Sequence, residues 1–148
     1  MAPGQICKVI IGAGPSGSIA GALLRNKGYH VTIREHQRFP RFSIGESLLP
    51  QCMEFIQQAV MMETGVHGGF EYKDGVSFVY RNRQTEFSFE DKFTAGIGTA
   101  FQVQRDGFDN LLASEAVRKS IDIQWQMEVI AVDFTGDKSK LKTRDEAG

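Results

Sequence analysis

The chain has 148 residues, of which 41% are hydrophobic and 24% are charged, and its net charge is −1. This length suits one domain, and the 11 Phe residues are enough to fill a core, so the composition excludes a chain that is disordered throughout. The nearly balanced charge argues against a protein that binds nucleic acid or a membrane surface.

The first predicted elements are an apolar strand at Ile6–Ile11 and a helix at Pro15–Lys27, joined by a turn with G-x-G-x-x-G spacing. Gly12 permits the tight turn, Gly14 lets the backbone approach a pyrophosphate, and Gly17 lets the helix pack closely. The start of the helix directs unpaired N–H groups and its positive dipole end toward the phosphates. We therefore expect a dinucleotide site formed by Gly12, Ala13, Gly14, Pro15, Ser16 and Gly17.

The next elements complete a strand–helix–strand unit. Gly28 closes the helix, Tyr29–Ile33 is a second apolar strand, and Glu35 follows it near the spacing at which such folds bind a ribose hydroxyl. With no basic residue in its place, Glu35 favours an adenosine ribose without a 2′-phosphate. The alternative is a surface charge at the end of a strand. The predicted class is α/β, a Rossmann-like unit with a parallel sheet.

The middle of the chain contains an irregular stretch, a helix and a hairpin. After Gln37–Ile44, we expect a helix from Gly45–Ser47 to Val60 or Met61, because apolar residues recur there at helical spacing. Gly65, Gly68 and Gly69 mark a loop. Alternating segments at Val76–Tyr80 and Glu86–Phe89 predict a β-hairpin.

The last part predicts a helix over Gly107–Lys119 capped by Asp106, a long strand over Ile121–Phe134 and another over Lys140–Thr143. The segment Ile123–Val132 would supply the third parallel strand, and the remaining tail, Arg144–Gly148, is polar. Such a sheet is small for a dinucleotide domain, so we expect the chain to be the front part of a longer protein.

The segment RFPRFSIGESLLP at Arg38–Pro50 is too particular to be a generic loop, and two further motifs are GFEYKDGVSF at Gly69–Phe78 and FQVQRDGFDNLL at Phe101–Leu112. Together with the glycine turn, they resemble the flavin-dependent halogenases. These belong to a larger class that includes aromatic hydroxylases and geranylgeranyl reductases. The resemblance extends from Val9 to about Ala116 and is nearest to the branch acting on phenolic, pyrrolic or carrier-bound substrates.

The resemblance implies FAD as cofactor and a halide ion as co-substrate. In this family reduced FAD, oxygen and halide yield hypohalous acid, which a lysine holds while an electron-rich aromatic ring is halogenated. By the motif match that lysine is Lys73, and desolvation of a lysine favours its neutral, nucleophilic amine. Taken alone, Lys73-Asp74-Gly75 is an ordinary turn entering a strand.

The same resemblance implies further cofactor contacts and partners. A separate flavin reductase would supply reduced FAD, and the small aromatic substrate would be free or bound to a carrier protein, in secondary metabolism such as antibiotic biosynthesis. Without the resemblance, the side chains named next would be interpreted as a solvated arginine, an acidic residue at the start of a helix, and surface groups that form hydrogen bonds. The implied contacts with the cofactor are Arg41, Glu46, Ser47, Gln102 and Arg105.

Two segments of the wider families do not occur in the 148 residues. The first is the W-x-W-x-I-P segment of halogenases, and the second is a Gly-Asp segment near the FAD ribityl chain. Trp125 lies in a strand pattern and does not belong to a W-x-W-x-I-P segment. In the family both lie further along. A flavin-dependent monooxygenase, a geranylgeranyl-reductase-like enzyme and an inert flavin-binding module therefore stay open. We expect residues 1–148 to form the N-terminal portion of an FAD-binding domain, with sheet and substrate domain incomplete.

The remaining patterns exclude other chemistry. Cys7 and Cys52 are far apart and form no C-x-x-C motif, and His30, His36 and His67 lack metal-ligand spacing, so we expect neither a disulfide nor a metal site. No stretch is long and apolar enough to span a membrane, and no signal peptide is evident. We expect a cytoplasmic protein without nucleic-acid or membrane partners.

Overall fold

The computed structural model describes residues 7–63 and 68–145. Ile6, Gly65, His67 and the end of the polar tail lie outside the described residues. In chain order the elements are β1 (Cys7–Ile11), α1 (Pro15–Asn26), β2 (His30–Arg34), β3 (Gly45–Ser47), α2 (Pro50–Gln58), β4 (Glu71–Lys73), β5 (Gly75–Tyr80), β6 (Arg83–Ser88), β7 (Ala100–Gln104), α3 (Arg105–Arg118), β8 (Asp122–Gln124), β9 (Glu128–Asp133) and β10 (Lys140–Arg144).

The predicted strand–helix–strand unit is confirmed. Strands β1 and β2 are parallel, and β8 joins the other side of β2 to give the order β1–β2–β8. Pro15 occupies the first turn of α1, where its missing N–H costs nothing. Gly28 ends the helix with φ of 86°, a conformation that glycine adopts without strain, and its N–H donates to the Arg25 carbonyl at 2.9 Å.

The long strand expected over Ile121–Phe134 is wrong, and the third parallel strand expected over Ile123–Val132 is present only as the short β8. The chain leaves the parallel sheet after β8, because Trp125 and Gln126 form a turn in which Gln126 has φ of 59°. Strand β9 pairs instead with β10 in an antiparallel ribbon. The hydrophobic alternation of this segment does not reveal the turn, and its two residues give no turn signal because neither is glycine or proline.

A second sheet, with the order β3–β7–β4, was not predicted. The segment Gly45–Ser47, expected to begin a helix, is instead a strand that pairs antiparallel with β7. Helix α2 begins only at Pro50, because Leu49 is extended and proline suits the first helical position. It ends at Gln58, before the expected Val60 or Met61.

The hairpin of β5 and β6 is confirmed, with Gly75 paired to Ser88 and Tyr80 to Arg83. Helix α3 is also confirmed, but the predicted Asp106 cap is wrong. Gln104 is the N-cap residue, and Asp106 lies inside the first turn, where its carboxylate suits the positive end of the helix.

The core lies where α1, α2 and α3 meet the two larger sheets. Small residues of α1 allow this packing: a Cβ added at Gly21 would lie 3.3 Å from side-chain carbons of both Ile33 and Ile121. Within the described ranges, no helix is both long and apolar enough to cross a membrane. The fully buried large side chains include Ile33, Ile56, Met61, Val103, Phe108 and Leu112.

Candidate functional site

The glycine turn between β1 and α1 is built from backbone. Gly12 has φ of 95°, which favours glycine, and its N–H donates to the Arg34 carbonyl at 2.7 Å. A Cβ at Gly17 would overlap the Gly12 carbonyl oxygen, so only glycine lets α1 approach the turn this closely. A Cβ at Gly14 would meet nothing within 4 Å, so the space over Gly14 is open.

The first turn of α1 carries no side-chain cap and no acidic residue. Gly14 is the N-cap residue of this helix. Pro15 and Ser16 therefore begin a helix whose positive end meets no protein carboxylate in that turn. This arrangement fits the pyrophosphate of a dinucleotide such as FAD, which needs a close backbone approach and unpaired N–H donors.

Glu35 is buried, with 2% of its surface exposed, so it is not a surface charge at a strand end. Its Oε2 accepts the Ala13 N–H at 2.7 Å and its Oε1 accepts the Gln37 N–H at 2.9 Å. The Nδ1 atom of His36 lies 3.0 Å from the same Oε1. Glu35 thus fixes the glycine turn, and its contact with a ribose hydroxyl stays a prediction.

An ion-pair network joins Arg41, Glu46 and Arg105, which lie on a loop, on β3 and on α3. Its centre is Asp109, which is 1% exposed and accepts two hydrogen bonds from Arg105, at 2.7 and 3.2 Å. Arg105 also binds Glu46, and the Arg41 guanidinium lies 3.7 Å from Asp109. The hydrogen bond to Asp109, more than that to Glu46, raises the pKa of Arg105 against the opposing effect of burial.

The sequence reasoning missed Asp109. The available signal was the spacing of Arg105 and Asp109, which stand four residues apart and so share one face of a helix. Arg41 is more buried than a solvated loop residue would be, since its side chain is only 27% exposed. It lies over the Phe39 ring, which packs against Trp125, and its Nε is buried without a hydrogen-bond partner in the described structure.

Lys73 and Ser47 are brought together by the second sheet. Lys73 is half-buried, and its Nζ donates a hydrogen bond to the Ser47 Oγ. The same Nζ lies 5.6 Å from the centre of the Phe89 ring, and Phe89 is buried. Gln102 stands on the middle strand, opposite both Ser47 and Glu71, with its side chain exposed.

The predicted residues thus form three groups: the glycine turn with Glu35, the network around Asp109, and the Lys73–Ser47 pair beside Gln102. The first turn of α1 and Leu48, which follows Ser47, line one apolar cavity of about 330 Å³. In residues 7–63 and 68–145, no group of three or more His, Cys, Asp or Glu side chains is placed to hold a metal ion.

Comparison with known families identifies the cofactor of the chain. Residues 5–148 match the model of the FAD binding domain. The chain belongs to this FAD-binding family. Its cofactor is FAD, and both the FAD cofactor and the Rossmann-like fold implied by the resemblance are confirmed.

The relatives include flavin-dependent halogenases. The chain is 36% identical over 116 residues to a brominase of 1H-pyrrole-2-carbonyl peptidyl-carrier protein from Pseudoalteromonas luteoviolacea, covering 78% of this chain and 27% of that protein. The structure of CmlS, a flavin-dependent halogenase, matches with a TM-score of 0.89 and 32% identity, covering 99% of this chain and 27% of CmlS.

A flavoprotein/dehydrogenase from Cytophaga hutchinsonii matches with a TM-score of 0.90 and 39% identity, covering 97% of this chain and 36% of that one. The chain therefore spans about a quarter to a third of the length of these relatives.

Proposed function

We propose that the chain is the FAD-binding part of a flavin-dependent halogenase, and that residues 1–148 are the N-terminal portion of its FAD-binding domain. Lys73 carries this proposal. Its amine, held between the Ser47 hydroxyl and the Phe89 ring, stands at the position that the family motif gives to the halogenating lysine. The halogenase relatives support the same assignment.

The cofactor region supplies binding and orientation. The open space over Gly14 and the uncapped start of α1 suit the pyrophosphate, while Glu35 keeps the turn in shape and is the candidate for the ribose hydroxyls. Arg41, Glu46, Gln102 and Arg105 are the remaining candidates for contact with FAD. When bound in reduced form, FAD supplies the two electrons that activate oxygen.

Lys73 would act on the hypohalous acid produced from halide. Its neutral amine attacks the halogen, so that an N–halogen bond forms and the O–halogen bond breaks, and the released hydroxide takes a proton from the amine nitrogen and leaves as water. An electron-rich aromatic carbon then takes the halogen, loses its proton and regenerates the amine. The buried Phe89 ring limits access of water to one side of the Lys73 amine during these steps.

The substrate class and the partners extend this proposal. A small phenolic or pyrrolic ring is electron-rich enough for electrophilic halogenation, and the carrier-protein-linked pyrrole in the name of one relative favours a carrier-bound substrate. A separate flavin reductase would deliver reduced FAD. These partners, a place in antibiotic biosynthesis and a cytoplasmic location stay predictions.

A second candidate is a flavin-dependent oxidoreductase that does not halogenate, such as a monooxygenase or a geranylgeranyl-reductase-like enzyme. The Cytophaga flavoprotein/dehydrogenase, at 39% identity, is the observation that favours it. Halide dependence separates the two functions, because only the halogenase consumes chloride or bromide.

The test uses the protein expressed from its complete reading frame, with a flavin reductase, oxygen and a panel of phenols and pyrroles. Mass spectrometry should detect halogenated product only with halide present, and Lys73→Ala should lower its yield at least ~100-fold while FAD stays bound. An oxygenated product that needs no halide would establish the second candidate. Undiminished halogenation by Lys73→Ala would remove the lysine from the reaction.

A further inference from the structure

The second sheet places Ser47 and Lys73 on one face. Ser47 is paired with Gln102, and Lys73 is paired with Ala100, two residues along the same strand β7. Side chains of directly paired residues, and of every second residue along a strand, lie on the same side of a sheet. The face shared by Ser47 and Lys73 therefore also carries Ala100 and Gln102.

Lys73 has to cross the middle strand to reach Ser47. Strands β3 and β4 flank β7, and neighbouring strands are about 5 Å apart, so their backbones are about 10 Å apart. The long stem of a lysine spans much of this distance, and the small side chain of the buried Ala100 leaves room beneath it. The observed hydrogen bond to Ser47 thus fixes the far end of an otherwise flexible side chain.

The Ser47 hydroxyl is suited to both states of the amine. It accepts a hydrogen bond from the ammonium form, and it can donate its own proton to the lone pair of the neutral form. The centre of the Phe89 ring lies 5.6 Å from the amine on another side, and this ring has no polar atom that could form a hydrogen bond with the amine. Ser47 is therefore the polar partner of Lys73 at this site.

We propose that Ser47 is a positioning residue for halogen transfer, which holds the Lys73 amine across β7 through its hydroxyl. This inference rests on the proposed function, because it gives Ser47 a role only if Lys73 carries the halogen. It differs from the expectation that Ser47 contacts FAD, since the hydroxyl acts through the lysine. The fold does not depend on the hydroxyl, because Ser47 is exposed.

The experiment compares Ser47→Ala, Ser47→Thr, Lys73→Ala and a matched control, Ser77→Ala, in the complete protein. Ser77 is also an exposed strand serine with one side-chain partner, Gln84, but it lies on the hairpin. Product per reduced flavin oxidised is measured with taurine present, which captures hypohalous acid that escapes. The FAD affinity of each variant is measured in parallel.

For Ser47→Ala we expect unchanged flavin oxidation and FAD affinity, about tenfold less product, and a matching rise in halogenated taurine. Ser47→Thr should recover most of the product, and Ser77→Ala should equal the native protein. If Lys73→Ala is inactive while Ser47→Ala equals Ser77→Ala, the positioning role is wrong and the proposed function stands. If Lys73→Ala remains active, the proposed function fails with it.

A second measurement is independent of turnover. The amine reagent trinitrobenzenesulfonate is applied at one pH, and the modification of Lys73 is followed by peptide mass spectrometry against an exposed lysine, Lys27. Ser47→Ala should speed modification of Lys73 alone, because its amine is released. Equal rates in Ser47→Ala and Ser77→Ala, or a loss of FAD affinity in Ser47→Ala that parallels its loss of product, would overturn the positioning role.

Discussion

The glycine turn and the second sheet reach their shapes by different means. The turn is made of backbone that bends at Gly12 and is clamped by a single buried carboxylate, Glu35. The second sheet and helix α3 bring together side chains that are far apart in sequence: Arg105 at the start of α3 meets Glu46, and Lys73 on β4 meets Ser47 on β3.

This contrast explains what each region can do. A backbone turn presents fixed N–H groups, which suits a phosphate that must only be held. The second sheet and helix α3 present an amine, which can gain or lose a proton, and guanidinium groups, which stay charged. Substitutions that break the network around Asp109 should therefore leave the Glu35 contacts of the glycine turn intact.

The largest effect is expected from Asp109→Ala. It removes the buried partner of Arg105 and Arg41, and breaking such a pair costs about 3 kcal/mol because buried charge is left uncompensated. Urea unfolding should record this loss. Hydrogen exchange at the Ala13 amide should stay slow under native conditions, because the glycine turn does not use Asp109.

The matched control is Glu115→Ala on the same helix, which removes only the ion pair with Arg118, a largely exposed arginine. It should cost less than about 0.5 kcal/mol. If Asp109→Ala is no worse than Glu115→Ala, the network around Asp109 does not hold the second region.

A smaller loss, about 2 kcal/mol, is expected from Glu35→Ala, because it leaves the Ala13 and Gln37 N–H groups without their acceptor. The loss of stability in Glu35→Gln should lie between that of Glu35→Ala and zero, because the amide offers one acceptor oxygen instead of two. Here the Ala13 amide should exchange faster and FAD should bind more weakly. Wild-type exchange at Ala13 in Glu35→Ala would mean that Glu35 does not clamp the turn.

How far the sequence could predict the structure differs between the two regions in the same way. The glycine turn is formed by residues that are close in sequence, so the spacing of Gly12, Gly17 and Gly28 predicts its geometry. The second sheet pairs Gly45–Ser47 with a strand over fifty residues away, and a three-residue strand is too short to show a period. For Asp109 the sequence offers only its spacing from Arg105, because its burial depends on packing against parts of the chain that are distant in sequence, such as the loop of Arg41.

The proposed site residues follow the same division. Lys73 and Ser47 were predicted as site residues from the family motifs, but no motif indicated that their side chains are in contact. That contact depends on the register of both strands against β7 and on the small Ala100 between them. Register is a property of the folded sheet, so it could not be read from the separate segments.

The central claim, that the open glycine turn is the FAD site, is tested most directly by the FAD dissociation constant of Gly14→Ala. Its new methyl group meets no protein atom within 4 Å, so it fills only the space assigned to the pyrophosphate. Gly107→Ala, an equally open glycine in the first turns of α3, is the control. Flavin fluorescence titration should show a rise of at least about tenfold for Gly14→Ala, with a loss of less than about 1 kcal/mol in stability, and no rise for Gly107→Ala. Equal dissociation constants in the two variants would contradict the account.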